Sequence, residues 1–277
     1  LTATTPFISI IIPCYNNAAT IAETLSSATE QSYGSIEIVV VDDGSNDNSI
    51  AIIEAFFSQS KHLNYKIIHQ ENQGPSSARN RGVSQSSGSF LFFLDADDSL
   101  HPDAIRQFEA VLKNNAAINI VYSEIEFFEA REGVLKLNDY RLPQFLYDNC
   151  IPIGTLVRKE VFNAVGGFDE TLRYMEDWEL WIRIVREYGG VYKIPQTLYY
   201  YRKRGDKSSL SDTSVTSVLE EDCRLYIYSK HRSFYKEYSL DLPRVFHFVE
   251  ENKRFQKKYY GIWYRKLFYS IIKRKKK

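Results

Sequence analysis

Two short apolar runs, each broken off by a cluster of carboxylates, constrain this chain more than any other feature. Residues 36–41 are stopped by Asp42-Asp43-Gly44-Ser45, and residues 90–94 by Asp95-Ala96-Asp97-Asp98. A brief apolar run bounded by polar punctuation reads as a strand buried on both faces. Residues 7–12, ended by Pro13, read the same way, and residues 65–69 and 118–122 are further expected strands. Helices are expected between them over residues 18–30, 48–57, 75–85 and 102–112, two of them opened by Pro75 and Pro102. Strands alternating with helices predict an α/β fold with a mostly parallel sheet covered on both faces. Each carboxylate cluster then lies at the C-terminal end of a strand, where open α/β sheets bind ligands. By this pattern the first 125 or so residues form a nucleotide-binding half.

Past Glu126 the alternation loosens. Residues 129–149 read as a surface excursion, 151–156 as a short strand, and 158–165 as a short helix ended by Gly166-Gly167. A helix over 176–186 carries Trp178, Trp181 and Ile182, and short strands are expected at 191–194 and 198–201. A polar loop over 205–214 precedes a remainder that reads as helical.

The hydrophobic fraction of 44% supports a real core. The 35 basic and 35 acidic residues cancel, which gives no general attraction to nucleic acid. Cys14, Cys150 and Cys223 have no metal-ligand spacing, and an odd number cannot pair completely. There is no apolar run of roughly 18 residues, so no spanning helix is expected. Residues 1–6 lack the basic segment and apolar stretch of a secretion signal. The expectation is an intracellular, cytoplasmic chain.

The carboxylates admit more than one use. Asp95, Asp97 and Asp98 at a strand end suit a hard cation such as Mg2+ or Mn2+ bridging two phosphates. The plainer account is that they cap the helix beginning near Pro102. Asp42 and Asp43 could accept hydrogen bonds from a base or ribose, or could serve the turn alone, with Asn46 or Asp47 capping the next helix. Glu176 or Asp177 could act as a general base, or could simply complement a helix dipole. Arg79 could pair with phosphate or with a carboxylate, or could lie on a solvated helix face. His69, His101 and His231 form no metal spacing.

Six motifs stand in order: Ser9-Ile10-Ile11-Ile12-Pro13-Cys14-Tyr15-Asn16; Val41-Asp42-Asp43-Gly44-Ser45; Gly74-Pro75-Ser76-Ser77-Ala78-Arg79-Asn80-Arg81-Gly82; Phe93-Leu94-Asp95-Ala96-Asp97-Asp98; Gly167-Phe168-Asp169-Glu170; and Glu176-Asp177-Trp178-Glu179-Leu180-Trp181. Over residues 7–203 the chain thereby resembles the family-2 glycosyltransferases of GT-A fold. The resemblance implies an inverting transfer from a nucleotide-diphosphate sugar to a glycan or lipid-linked acceptor. It implies that Pro13 and Tyr15 line the nucleotide pocket, Asp43 holds the base, and Arg79 supports nucleotide binding. Asp95 would help place the donor and Asp97 would coordinate Mn2+ or Mg2+. Asp177 is the implied general base, with Glu176 the alternative within the pair. The implied organisation is a GT-A catalytic domain over 1–205, with its nucleotide-binding half about 7–125 and its acceptor half about 126–205. A helical, basic extension follows over 206–277. The Gln-x-x-Arg-Trp segment of the processive synthases is absent, which suggests one sugar added per event in bacterial surface-glycan assembly.

Two other readings compete. A sugar nucleotidyltransferase would release pyrophosphate rather than nucleoside diphosphate. A non-catalytic glycan-binding module would need neither nucleotide nor metal. Gly-x-Gly-x-x-Gly does not follow the first strand, which argues against a dinucleotide oxidoreductase. Residues 251–277 hold 11 Lys or Arg, one acidic residue and seven aromatics. On a helix Phe255, Tyr259, Ile262, Trp263 and Leu267 would share a face, as in a peripheral contact with an anionic membrane. Packing of that face on the rest of the chain is the plainer use. Nucleic-acid binding is not expected, because no reader motif accompanies the charge.

Overall fold

The computed structural model describes residues 7–59, 63–205 and 216–255. Its N-terminal part is built from β1 (Ile8–Cys14), α1 (Ile21–Thr29), β2 (Ile36–Asp43), α2 (Ser49–Ser58), β3 (Tyr65–Gln70), α3 (Pro75–Gln85) and β4 (Phe90–Phe93). These strands pair in parallel in the order β3-β2-β1-β4. The chain moves outward from β1 through β2 to β3, then returns to place β4 on the other side of β1. That reversal opens a crevice at the C-terminal ends of β1 and β4. The loops after Cys14, Asp43, Gln70 and Phe93 all emerge on this edge.

Both sheet faces are covered, which is why these strands read as unbroken apolar runs. Ile8, Ile10, Ile12, Ile38, Val40 and Phe92 are buried in one cluster with Ile21, Leu25, Ile53 and Phe57 from α1 and α2. On the other face α3 approaches so closely that a Cβ on Gly82 would lie 2.6 Å from Ile11 Cγ2 and 3.2 Å from Val41 Cγ2.

The chain continues through β5 (Ser99–Leu100), α4 (Ala104–Asn114), β6 (Ile120–Glu129), β7 (Gly133–Leu135), β8 (Leu156–Arg158), α5 (Lys159–Ala164), α6 (Glu176–Glu187) and β9 (Val191–Lys203). The full order is β3-β2-β1-β4-β8-β6-β9-β5, with β7 paired to β6. Thus β8 runs antiparallel to both β4 and β6, whereas β9 is parallel to β6. The α/β class, the mostly parallel sheet and its helical flanks are as the sequence predicts, and residues 216–255 are helical in their greater part.

Three segments depart from the sequence reading. The strand expected at 191–194 and the one at 198–201 are a single strand, β9, continuous across Pro195. Its pairing with β6 shifts register there, and a bulge is where a strand tolerates proline. The strand expected over 151–156 is confined to Leu156–Arg158. Ahead of it Thr155 Oγ1 donates to Pro152 O at 2.6 Å in a turn, and Gly154 lies flat on the Tyr199 ring. The strand expected over 118–122 runs on to Glu129, where alternating buried and half-buried residues replace the apolar run.

The chain forms two compact units, divided between residues 140 and 141, 149 and 150, and 225 and 226. The first holds the sheet and the start of α7 (Thr216–Lys230). The second holds the end of α7, α8 (Arg232–Glu237), α9 (Leu242–Phe255) and a 3₁₀ turn at Gln144–Leu146. Phe234, Tyr235, Leu240, Val245 and Val249 are buried in that second unit, and Tyr147 stacks on Phe248 at 4.8 Å. The basic face proposed from Tyr259 onward, most of the polar loop and residues 1–6 lie outside the described residues.

Replacing Gly82 tests the close approach of α3 to β1. Alanine would add about 1 kcal/mol of helix propensity. Overpacking against Ile11 costs about 1–3 kcal/mol and outweighs it. Gly82→Ala is expected to lower the urea midpoint with an unchanged m-value, and an equal or higher midpoint would contradict this packing.

Candidate active site

The first wall of the crevice is a pair of loops latched together. Asn16 N donates to Ser45 Oγ at 3.0 Å, and Asn46 N returns a bond to Asn16 Oδ1 at 2.8 Å. Ala18 N donates to Asp47 Oδ2 at 3.0 Å, and Asp47 also accepts Ser49 N at the first turn of α2. Asn16 has φ 53°, a left-handed conformation that asparagine tolerates. Pro13 is half-buried beside this latch, and Tyr15 is 46% exposed.

Asp43 is buried, and both its oxygens are engaged. Oδ1 accepts Gln70 Nε2 at 2.8 Å and Gln73 N at 2.9 Å, and Oδ2 accepts Gly74 N at 2.8 Å. It therefore braces the loop that leads into α3. A carboxylate has about four acceptor sites, so one is left for a ligand donor.

Arg79 is the residue around which the rest is arranged. It projects from α3 and is only 4% exposed. Nη2 donates to Asp95 Oδ1 and Nη1 to Glu176 Oε1, each at 2.7 Å. Its guanidinium also lies 5.4 Å from the Phe168 ring centroid. Burial alone would lower its pKa, but the two carboxylates together raise it above the ordinary arginine value. The solvated-face account of Arg79 fails. Next to it, Asn80 clamps the 168–170 loop, with Nδ2 donating to Phe168 O at 2.9 Å and Phe168 N donating to Oδ1 at 2.8 Å.

The turn after β4 divides its acids between jobs. Asp95 takes Arg79. Asp98 is buried and accepts Tyr199 Oη at 2.6 Å and Arg202 N at 2.8 Å, which ties the turn to β9. Burial, then the charges of Asp97 and Asp95, push its carboxyl well above the usual range. Asp97 accepts Arg204 Nη2 at 2.9 Å, with each side chain about a quarter exposed. Its pKa is raised, by burial first and by Asp95 second, against the opposing pull of Arg204. None of these acids caps α4. Asp103 occupies that N-cap position, without a side-chain cap bond.

The second wall is the N-terminus of α6. Met175 precedes it with φ 61°, a left-handed conformation unusual for methionine. Glu176 is committed to Arg79. Asp177 is half-buried and accepts one hydrogen bond among the described residues, from Trp178 N at 2.7 Å. Its carboxyl is pushed up to about 7, first by burial and then by the charge of Glu176. From α7, Arg224 lies over the Trp178 ring at 5.0 Å and pairs with Glu220 at 2.9 Å.

Among the described residues no group of three or more His, Cys, Asp or Glu is placed to hold a metal ion. A single cation-facing carboxylate nevertheless suits Mg2+ or Mn2+ when phosphates and water complete the shell. A guanidinium stands as cation on Asp97, so the donor set fits a divalent ion held jointly with a diphosphate.

Sequence reasoning missed Arg202 and Arg204. Arg202 Nε donates to Asp97 O at 2.7 Å, and its other nitrogens reach Glu129 and Glu23. The available signal was the two-residue spacing of Tyr200, Arg202 and Arg204, which continues a strand past Tyr201.

Comparison with known proteins gives consistent results. The sequence profile described as Glycosyl transferase family 2 matches residues 9–166. The "Minor teichoic acid biosynthesis protein GgaA" of Bacillus subtilis (strain 168) is 32% identical over 228 residues, 74% of this chain and 49% of that protein. The chain thus spans about half the length of that relative. An uncharacterized glycosyltransferase of Haemophilus influenzae is 31% identical over 220 residues, 76% of this chain and 73% of its own length. S. aureus TarS 1–349 in complex with UDP-GlcNAc has TM-score 0.62 at 24% identity, covering 72% of this chain and 59% of that one. The mannosyltransferase PcManGT from Pyrobaculum calidifontis, in complex with GDP-Man and Mn2+, has TM-score 0.62 at 17% identity, covering 94% and 84%. These two likenesses show the fold.

Arg79 cannot be replaced by another cation without loss, because a lysine cannot bridge two carboxylates as a planar fork does. Removing one partner of a buried pair costs about 3–5 kcal/mol. Arg79→Gln is expected to lose stability on that scale in urea denaturation, and Arg79→Lys to recover only part of it. An Arg79→Gln protein as stable as the parent would show that the bridge contributes nothing.

Proposed function

The chain belongs to glycosyl transferase family 2, and on that premise we propose that it transfers one sugar from a nucleoside-diphosphate sugar to an acceptor hydroxyl, with inversion. The acceptor is a glycan or a lipid-linked glycan. The observation that carries this reading is the contrast between adjacent acids on α6. Glu176 is paired with Arg79, whereas Asp177 has no ion-pair partner among the described residues and a carboxyl pushed up to about 7. A general base works best with a pKa near the working pH.

Asp177 takes the proton of the acceptor hydroxyl while that oxygen attacks the anomeric carbon. The bond from that carbon to the diphosphate oxygen breaks in the same displacement, on the opposite face of the sugar. No covalent sugar–enzyme intermediate forms. Pro13, Tyr15 and the remaining acceptor site of Asp43 face the nucleoside, and Asp95, held by Arg79, helps to orient the donor. Asp97 would hold Mn2+ or Mg2+, whose charge offsets the negative charge developing on the leaving diphosphate. The relative seen with GDP-Man and Mn2+ supports this cofactor class. The catalytic part is read as 1–205 and the basic extension as 206–277.

Transfer should rise as pH increases through about 7, following ionisation of Asp177. Asp177→Asn should lose about 10²-fold or more of turnover, and this pH limb with it. Donor binding, read by thermal shift, should stay near that of the parent. The stability signs differ from the usual carboxylate case. The folded pKa is raised, so the folded chain binds more protons than the unfolded one between about 4 and 7, and ionisation of Asp177 destabilises it there. Asp177→Asn should therefore be at least as stable as the parent at pH 8. A catalytic defect in Glu176→Gln with normal turnover in Asp177→Asn would reverse the assignment.

The composition of residues 251–277, with 11 basic residues against one acidic, supports a further part of the proposal: attachment to an anionic bilayer beside a lipid-linked acceptor. No helix of the described residues is long and apolar enough to cross a membrane. The full chain should sediment with phosphatidylserine-containing vesicles at low salt, and a chain ending at Glu251 should not. Equal sedimentation of the two would remove the tail from the reading.

A further inference from the structure

We propose that Arg204 acts as a built-in counter-cation that makes the divalent ion and the diphosphate bind together rather than singly. The inference rests on the reading of Asp97 as the cation ligand. Arg204 Nη2 donates to Asp97 Oδ2 at 2.9 Å, on the carboxylate that a cation would need. The guanidinium has little else to hold. Its Nε is buried and has no hydrogen-bond partner among the described residues. Nor can its neighbour take its place, because Arg202 is already spent on Asp97 O, Glu129 and Glu23.

Consider a divalent ion arriving alone. To take Oδ2 it must displace Arg204 from Asp97, and that leaves a part-buried guanidinium without its anion. Such a group costs more than a solvent-exposed one. A diphosphate arriving with the ion removes the conflict. Its oxygens complete the shell of the ion and offer Arg204 a replacement partner, which guanidinium groups bind well. Arg204 therefore opposes the ion alone and not the ion with diphosphate. By linkage, each of the two ligands strengthens binding of the other.

The experiment follows Mn2+ binding by the loss of its free-ion electron paramagnetic resonance signal, with and without inorganic pyrophosphate. In the parent, Mn2+ alone should bind weakly, and pyrophosphate should tighten it. Arg204→Gln should bind Mn2+ alone about tenfold more tightly, and should show a smaller gain on adding pyrophosphate. Arg204→Lys, which keeps the charge, should behave like the parent and so separate charge from shape. Arg204→Met is a second neutral variant should Arg204→Gln fold poorly. Adding Asp97→Asn to the neutral variant should abolish the gain. Unchanged or weaker binding of Mn2+ alone in both neutral variants overturns the inference while leaving Asp97 as a ligand. If Mn2+ with pyrophosphate binds the parent and Asp97→Asn equally, the cation site itself is elsewhere and both readings fall.

Discussion

Three segments at the C-terminal edge of the sheet are held together by one buried guanidinium. Arg79 joins three segments remote in sequence: α3, the turn after β4 and the start of α6. Taking a charge from water is costly, and good geometry with hydrogen-bonded partners offsets it. Here two carboxylates at 2.7 Å and the face of Phe168 are those partners, while Nε is buried without one among the described residues. Met175, the residue just before Glu176, is left-handed. Strain of this kind persists only where the surroundings over-determine it.

The same bridge divides the acids by role. Asp95 and Glu176 share one cation, and Asp98 is tied to Tyr199 and the backbone of Arg202. Asp97 and Asp177 are the two whose attachments can be exchanged. One faces a partly exposed guanidinium and the other a single backbone N–H. Both are pushed upward by burial and by neighbouring negative charge. Such an environment favours a bound proton or cation on either acid.

Legibility in the sequence follows this division. The parallel half was readable because strands buried on both faces must be apolar throughout, and the acids that end them stand out by contrast. The composition of α3 shows that Arg79 lies on a helix but not that it is buried, since Pro75 to Gln85 has little apolar contrast between faces. Its carboxylate partners lie 16 and 97 residues away, beyond any local pattern. Likewise Asp43 was legible as a strand-end acid, but not as the brace of the Gln73-Gly74 backbone. The part after β4 was harder because β8 and β9 are set by pairing partners distant in sequence, and Pro195 looks like a strand break.

The irregular stretch that this proline opens, with an excess of two residues across Pro195 and Gln196 and of one at Leu198, brings the second half of the site into phase. Between Ser123 and Ile125, β6 advances two residues, while its partners on β9 advance from Ile194 to Tyr199, five residues. The excess is odd. Side chains alternate along a strand, so an odd excess exchanges the two faces of β9 relative to β6. With the excess in place, Tyr199 lies buried against Asp98 and Arg202 reaches the backbone of Asp97. An unbulged β9 would turn Tyr199 and Arg202 to the faces opposite those they now occupy. The irregular stretch from Pro195 to Leu198 is therefore not an interruption of the fold. It is what lets one strand both complete the sheet and hold the acid turn from which Asp97 projects.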